Sequence, residues 1–395
     1  MKRKSFLILV LCAAVFAVGA VVLLLMRKPP VHYQITLIPS LGGFRTEPYS
    51  INDRGQVVGT AETTTGSVYM FLWDKEQGFR SVERFDDPPH IGGLCINNVG
   101  QISGTIADPN GNQHAFLLDP NGTRQLLGTL GGKQSGADGL NDKGQIVGSA
   151  EVPDRNRHAF VWDAVNGMRD LGTLGGPNSN ASSINNTGQI VGLADASDHR
   201  THVVVWVPVR EGAGDKTPAD AGSNPPSPAS GRPSGDASGT PASGYRKIDL
   251  GYAGVGPLTC EINDLGLVVR RFGLTSGKTY FMTWTEATGS KTLDFVVGSG
   301  WPCGLNEKNQ FLIRARPTGW KMFGRVFNRR FQCYFWDPNS GPLLLESHLP
   351  VKDIRHFAVR ELNNNGQIIG VLQTKDSNQV RGVLLERIDD QKAGR

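Results

Sequence analysis

The chain has 395 residues, of which 38% are apolar and 19% charged, with 50 glycines and a formal net charge of +5. That length suits one large domain or two medium ones. So much glycine with so little charge excludes a helical protein with charged outer faces, and no stretch after residue 30 sustains a helical period for three turns, so the soluble part is expected to be all-β.

The first element is a separate object. Lys2, Arg3 and Lys4 (residues 1–4, a basic leader) precede an uncharged run from Ser5 to Met26, and Arg27 and Lys28 close it in a short juxtamembrane stretch, 27–31. Twenty-two residues at helical rise reach roughly 33 Å, enough for the hydrocarbon core of a bilayer. Cleaved signal peptides have apolar regions of about 7–15 residues, and here the run continues six residues past the small-residue site Val18-Gly19-Ala20. The reading is an uncleaved transmembrane signal anchor over 5–26, with a secreted, cleaved form as the alternative. Cys12 follows Leu11 where lipidation calls for a small residue. Basic residues stay cytoplasmic, so everything after Pro30 is expected in the periplasm or outside the cell.

From residue 32 to 388 one pattern repeats. Ile or Leu followed by Asn, a short turn and Gln with two apolar residues begins at Ile51-Asn52-Asp53-Arg54-Gly55-Gln56-Val57. It returns at Asn97, Asn141, Asn185, Asn263, Asn306 and Asn363, spaced 45, 44, 44, 78, 43 and 57 residues apart. A second landmark keeps register: Trp73, Trp162, Trp206 and Trp284 each lie 21 residues past their Asn, Leu118 and Leu384 hold that place in copies two and seven, and Trp336 comes nine residues late in copy six. The long gaps have local causes. One contains a Pro/Ala/Ser/Gly-rich segment, 211–244, too poor in apolar residues to order itself. The other contains an insertion near Arg314–Phe331.

Each copy holds about four strand-like segments, in copy three Gln125–Leu130, Ser135–Leu140, Gln145–Ala150 and His158–Asp163. The Asn-Asp-x-Gly between two of them is a turn, and in copy six Asn309 replaces its Gly as the next-best residue for positive φ. Four strands repeated at 40–45 residues make a propeller blade, so the expected fold is a seven-bladed β-propeller, with residues 389–395 as a tail. Tyr33–Ile38 either opens blade one or completes blade seven beside Val383–Leu385.

His114-Ala115-Phe116, His158-Ala159-Phe160, the Leu-Gly-Thr-Leu-Gly-Gly runs at 127–132 and 171–176, and Ile184-Asn185-Asn186-Thr187-Gly188-Gln189 resemble the HAF repeat, an extracellular bacterial repeat family named for its His-Ala-Phe signature. The likeness covers about 100 residues in copies two to four and fades in copies five to seven. It implies an exported repeat protein and no particular activity.

The chemistry is sparse. His114, His158 and His202, with Tyr69 and Tyr280 at the same place in other copies, fit hydrogen-bonded packing better than metal ligation, since ligands must converge at about 2 Å. The turns offer at most one carboxylate each, too few for calcium. No metal, cofactor or catalytic set is expected. Cys95, Cys260, Cys303 and Cys333 read as small buried hydrophobes, with Cys303–Cys333 as the pair a disulfide would join.

Residues 260–335 carry eleven basic and five acidic side chains, concentrating the excess charge. Arg270 and Arg271, then Arg314, Arg316, Trp320, Lys321, Phe323, Arg325, Phe327, Arg329 and Arg330, form the candidate binding surface. Basic groups beside aromatics suit a protein partner, acidic glycan or phospholipid surface; nucleic acid is unexpected beyond the membrane. The leading expectation is a non-enzymatic, membrane-tethered binding or scaffolding propeller. The alternatives are a glycan-active lyase or hydrolase, and a subunit of an envelope complex docked through 314–331.

Overall fold

In a computed structural model, the residues described are 31–85, 92–209, 244–254, 259–273, 279–297, 299–316 and 331–388. The expected anchor at 5–26, nearly all of the Pro/Ala/Ser/Gly-rich insertion and the tail 389–395 lie outside them. Among the described residues no helix is long and apolar enough to cross a membrane.

Seven four-stranded antiparallel sheets close into a β-propeller, as the repeat implies. Each inner strand ends at its Asn: Gly42–Ile51, Gly92–Ile96, Ser135–Leu140, Gly175–Ile184, Cys260–Ile262, Ser299–Leu305 and Ile354–Leu362. The seam is settled. His32–Leu37 is the outer strand of blade seven and pairs antiparallel with Arg381–Ile388, so the first strand of the propeller completes its last sheet.

Three local expectations need correction. Gln125–Leu130 does not open blade three: Arg124–Leu126 is the outer strand of blade two, and Leu127 is buried between sheets as the chain crosses to the next inner strand. Trp73, Trp162, Trp206, Trp284 and Trp336 each face the first residue of the second strand, but in blade seven Ile368 faces Leu385, not Leu384, because the connection there is one residue longer. All four propeller cysteines are free; Cys303 and Cys333 each point their Sγ at a blade-seven carbonyl, Val359 and Phe357, instead of at each other.

The core lies between sheets. Phe71, Phe116, Phe160, Phe281, Phe311 and Trp206 are wholly buried, each burial stabilising by about 1.5–3 kcal/mol. The second-strand glycine has a steric cause. A Cβ on Gly148 would sit 2.0 Å from the Gly136 carbonyl oxygen, because the bulged inner strand presses against it.

Candidate functional site

The two ends of the central channel differ in chemistry. At the end where inner strands turn into second strands, each repeat Asn uses its whole amide. Asn141 Oδ1 accepts the N–H of Lys143 and Gln145, while Nδ2 donates to Gln145 Oε1 and to the carbonyl of Asn185 in the next blade. The same cross-blade bond runs from Asn52 to Asn97, Asn97 to Asn141, Asn185 to Asn263, Asn263 to Asn306, Asn306 to Asn363, and back from Asn363 to Asn52, at 2.8–3.3 Å. Aspartate could not donate here, which is why all seven copies carry the amide.

The next residue makes a second closed circle. The N–H of Asp53 donates to Asn98, Asn98 to Asp142, Asp142 to Asn186, Asn186 to Asp264, Asp264 to Glu307, Glu307 to Asn364, and Asn364 to Asp53, each through the following blade's side-chain oxygen. These residues surround an axial opening of about 160 Å³. Their free amides bridge the acids: Asn98 Nδ2 lies 3.1 Å from both Asp53 and Asp142, and Asn186 Nδ2 bonds Asp142 and Asp264. This end is a clasp whose polar groups are spent on one another.

Farther along the channel, carboxyls stitch blades together. Glu361 Oε2 accepts the Ile51 N–H at 2.9 Å, and burial with that bond leaves its pKa raised to about 7. Glu261 takes the Gly304 N–H, and burial, then the Glu361 charge, push it up to about 8. Asp138 keeps an exposed side chain, yet the density of surrounding protein raises its pKa, against an Asn180 amide 3.0 Å away.

The opposite mouth, at blades six, seven and one, is basic and aromatic. In the second strand of blade six, Phe311–Arg316, Arg314 lies over the rings of Trp301 and Phe331, 5.4 and 5.6 Å from their centroids, and the terminal Arg316 lies over Phe331 at 5.3 Å. Arg360, the bulge residue of the blade-seven inner strand, covers the Tyr49 ring at 5.6 Å. Glu47 answers Arg45 at 3.4 Å and Arg360 at 3.5 Å. Among the described residues, three guanidiniums, Arg45, Arg314 and Arg360, thus share the carboxylate of Glu47. The Nε atoms of Arg314 and Arg360 are buried without a hydrogen-bond partner. Burial, then the charges of Arg314, Arg360 and Arg45, lower the His356 pKa, so this histidine stays neutral in a positive field.

Of the residues singled out from sequence, Arg314 and Arg316 belong to this mouth. Trp320, Lys321, Phe323, Arg325, Phe327, Arg329 and Arg330 lie outside the described residues. Arg270 and Arg271 are not on a surface: they are only 5% and 7% exposed. Arg270 reaches across to donate to the Leu250 carbonyl at 2.9 Å, in the outer strand of the neighbouring blade. Sequence reading missed Trp301, Arg45, Glu47, Tyr49, His356 and Arg360. They come from three blades, and only their shared position upstream of an Asn could have linked them.

The repeated histidines are tied to aspartates: His114 to Asp108 at 3.3 Å, His158 to Asp170 at 2.8 Å, His202 to Asp249 at 2.9 Å. Among the described residues no three His, Cys, Asp or Glu side chains converge as a metal site.

No protein-family model and no curated protein sequence matches the chain. Solved structures do match its shape. A catalytically inactive virginiamycin B lyase from Staphylococcus aureus, bound to quinupristin, is 12% identical over 90% of this chain and 99% of its own, with a TM-score of 0.52. Puromycin hydrolase is 14% identical over 90% of this chain and 58% of its own, also at 0.52. TolB from Acinetobacter baumannii is 11% identical over 63% of this chain and 54% of its own, at 0.42. The chain therefore spans just over half the length of the latter two. At these identities the likeness extends to the propeller fold alone.

Proposed function

We propose that the protein is a non-enzymatic binding propeller, tethered outside the cytoplasmic membrane by residues 5–26, that takes an anionic partner at the mouth formed by blades six, seven and one. The observation that carries this reading is the pair of half-buried guanidiniums, Arg314 and Arg360, each with a buried, unpaired Nε and with one shared carboxylate nearby. A partly desolvated cation without full compensation is a ready partner for an arriving carboxylate, sulfate or phosphate. The aromatic faces of Trp301, Phe331 and Tyr49 hold the guanidiniums in place meanwhile. The exported, HAF-like character of blades two to four fits an envelope polymer or an acidic protein segment as the partner.

A lyase or hydrolase role has less support, although two structural neighbours carry those names; function belongs to sites and not to folds. Two of the carboxyls with raised pKa, Glu261 and Glu361, are occupied by backbone N–H groups of neighbouring blades. The test is titration of the full chain in nonionic detergent with polygalacturonate, against neutral dextran. Salt-sensitive binding of the acidic polymer alone, lost in Arg314→Ala/Arg360→Ala, is expected. Equal binding by the wild type and the double variant would remove this mouth as the site.

A further inference from the structure

The outer flank of blade seven carries a groove of about 1100 Å³, at the upper end of the roughly 300–1,000 Å³ usual for ligand sites. It lies between the outer strand His32–Leu37 and the 3-10 turn Leu345–His348 with the residues that follow. Ile35, Leu349, Val351 and Ile388 make its apolar wall. Leu37, which lines it, is 58% exposed. Among the described residues no carboxylate lines the groove; the titratable and charged groups there are His32, Tyr33, His348 and Arg381. One Arg381 nitrogen meets Ser40 Oγ, and the five-donor fork has others to offer.

The inner side of this lining belongs to the core: Tyr33 and Leu372 are in the cluster between blades six and seven, and Val31, Ile35, Leu349 and Val351 pack against it, while the trough opens on their outer side. Its position is informative. Val31 lines the groove and follows Met26, the end of the apolar N-terminal run, by five residues. Five extended residues reach at most about 17 Å, so the groove stands at the bilayer face if 5–26 spans it.

We infer that this groove takes the acyl chain of an anionic phospholipid from the adjoining leaflet, with Arg381 at the phosphate. The inference rests on reading residues 5–26 as an anchor, and the experiment separates the two. The full chain is placed in nanodiscs of phosphatidylcholine with phosphatidylglycerol carrying a diazirine in its acyl chain, photolysed, and mapped by peptide mass. Label is expected in Ile35–Leu37 and Leu349–Val351 as well as in 5–26. Leu37→Glu and Arg381→Glu should cut the groove label about five-fold or more while leaving that in 5–26 unchanged, because a carboxylate there must be desolvated by the arriving acyl chain and repels the phosphate. Label confined to 5–26, or groove label indifferent to both variants, overturns the inference. So does a crosslink from Val351→p-benzoylphenylalanine to residues 5–26 of the same chain, which would make the anchor the occupant. A mature chain lacking its N-terminal run sinks the anchor alone. Mixed with vesicles of the same lipids, that chain would still support the groove if 35–37 and 349–351 are labelled, and refute it if they are not.

Discussion

Asn263 Nδ2 lies 2.8 Å from Asn309 Oδ1 in the next blade, and this bond joins two departures from the repeat. In the other blades the corresponding amide donates to a Gln four residues on, such as Gln56 or Gln145. Blade five has Leu267 there, so that acceptor is missing. Blade six has Asn309 where the other turns carry Gly, held at φ +58°, and its side chain supplies the missing oxygen. Each irregularity compensates for the other.

Asn309→Gly should therefore destabilise the propeller, although glycine suits positive φ better. Losing a buried acceptor costs about 1–3 kcal/mol, more than the conformational gain returns. Leu267→Gln in the same chain should recover most of the loss. Urea unfolding of the two single variants and the double gives the coupling; a single Asn309→Gly variant as stable as wild type would refute it.

The second circle alternates acid and amide: Asp53, Asn98, Asp142, Asn186, Asp264, then Glu307 and Asn364. Seven is odd, so strict alternation cannot close, and the mismatch falls at Asp264–Glu307. Burial, then the Asp264 charge, raise the Glu307 pKa. Glu307→Gln keeps an oxygen for the Asp264 N–H and removes the repulsion. It should raise the thermal midpoint at pH 8 by a few degrees and have no such effect at pH 4, where Glu307 is already protonated; an equal shift at both would point to packing instead.

Glu261, Glu361 and Glu346 are raised from the usual 4.5 to about 8, 7 and 7, in each case chiefly by burial. A carboxyl with a raised folded pKa contributes stability that is complete below its unfolded value and lost as pH climbs through the folded one. Asp108, Asp163 and Asp337 are shifted down by hydrogen bonds and act oppositely, losing their contribution only as pH falls below their usual 3.8. The propeller should be most stable near pH 5 and weaken toward pH 8. Glu261→Gln should flatten that decline, and melting curves at half-unit pH intervals measure it.

The four propeller thiols should resist chemistry. Burial pushes Cys260 and Cys303 up to about 12 and Cys333 well above its ordinary value. With so little thiolate, reaction with iodoacetamide at pH 8 should wait for unfolding. A Cys303–Cys333 disulfide found in protein from an oxidising compartment would contradict this arrangement.

The blade count could be read from sequence because Asn and Trp recur in fixed register, and local turn chemistry demands the same residues each time. The circles could not. Asn141 and Asn185 each satisfy a turn on their own, and nothing in either repeat says that the spare Nδ2 reaches across 44 residues. Arg270 and Arg271 misled for a related reason: charge density along the chain does not show which side chains the sheets bury. Arg314 was visible as part of a basic run, but its partner Trp301 faces it across the same sheet, and Arg360 and Glu47 are gathered by closure of the ring.

The strand His32–Leu37 has a mechanical consequence. Six residue pairs with Arg381–Ile388 fasten the last sheet to the start of the propeller, and the chain leaves that strand directly toward Val31. Any force drawn through the N-terminus is therefore borne first by the fastening that keeps the circle shut, before a single inner strand feels it. A chain under tension would yield at blade seven, shedding its outermost strand while six sheets stay whole, so attachment strength and ring integrity are one property of this molecule.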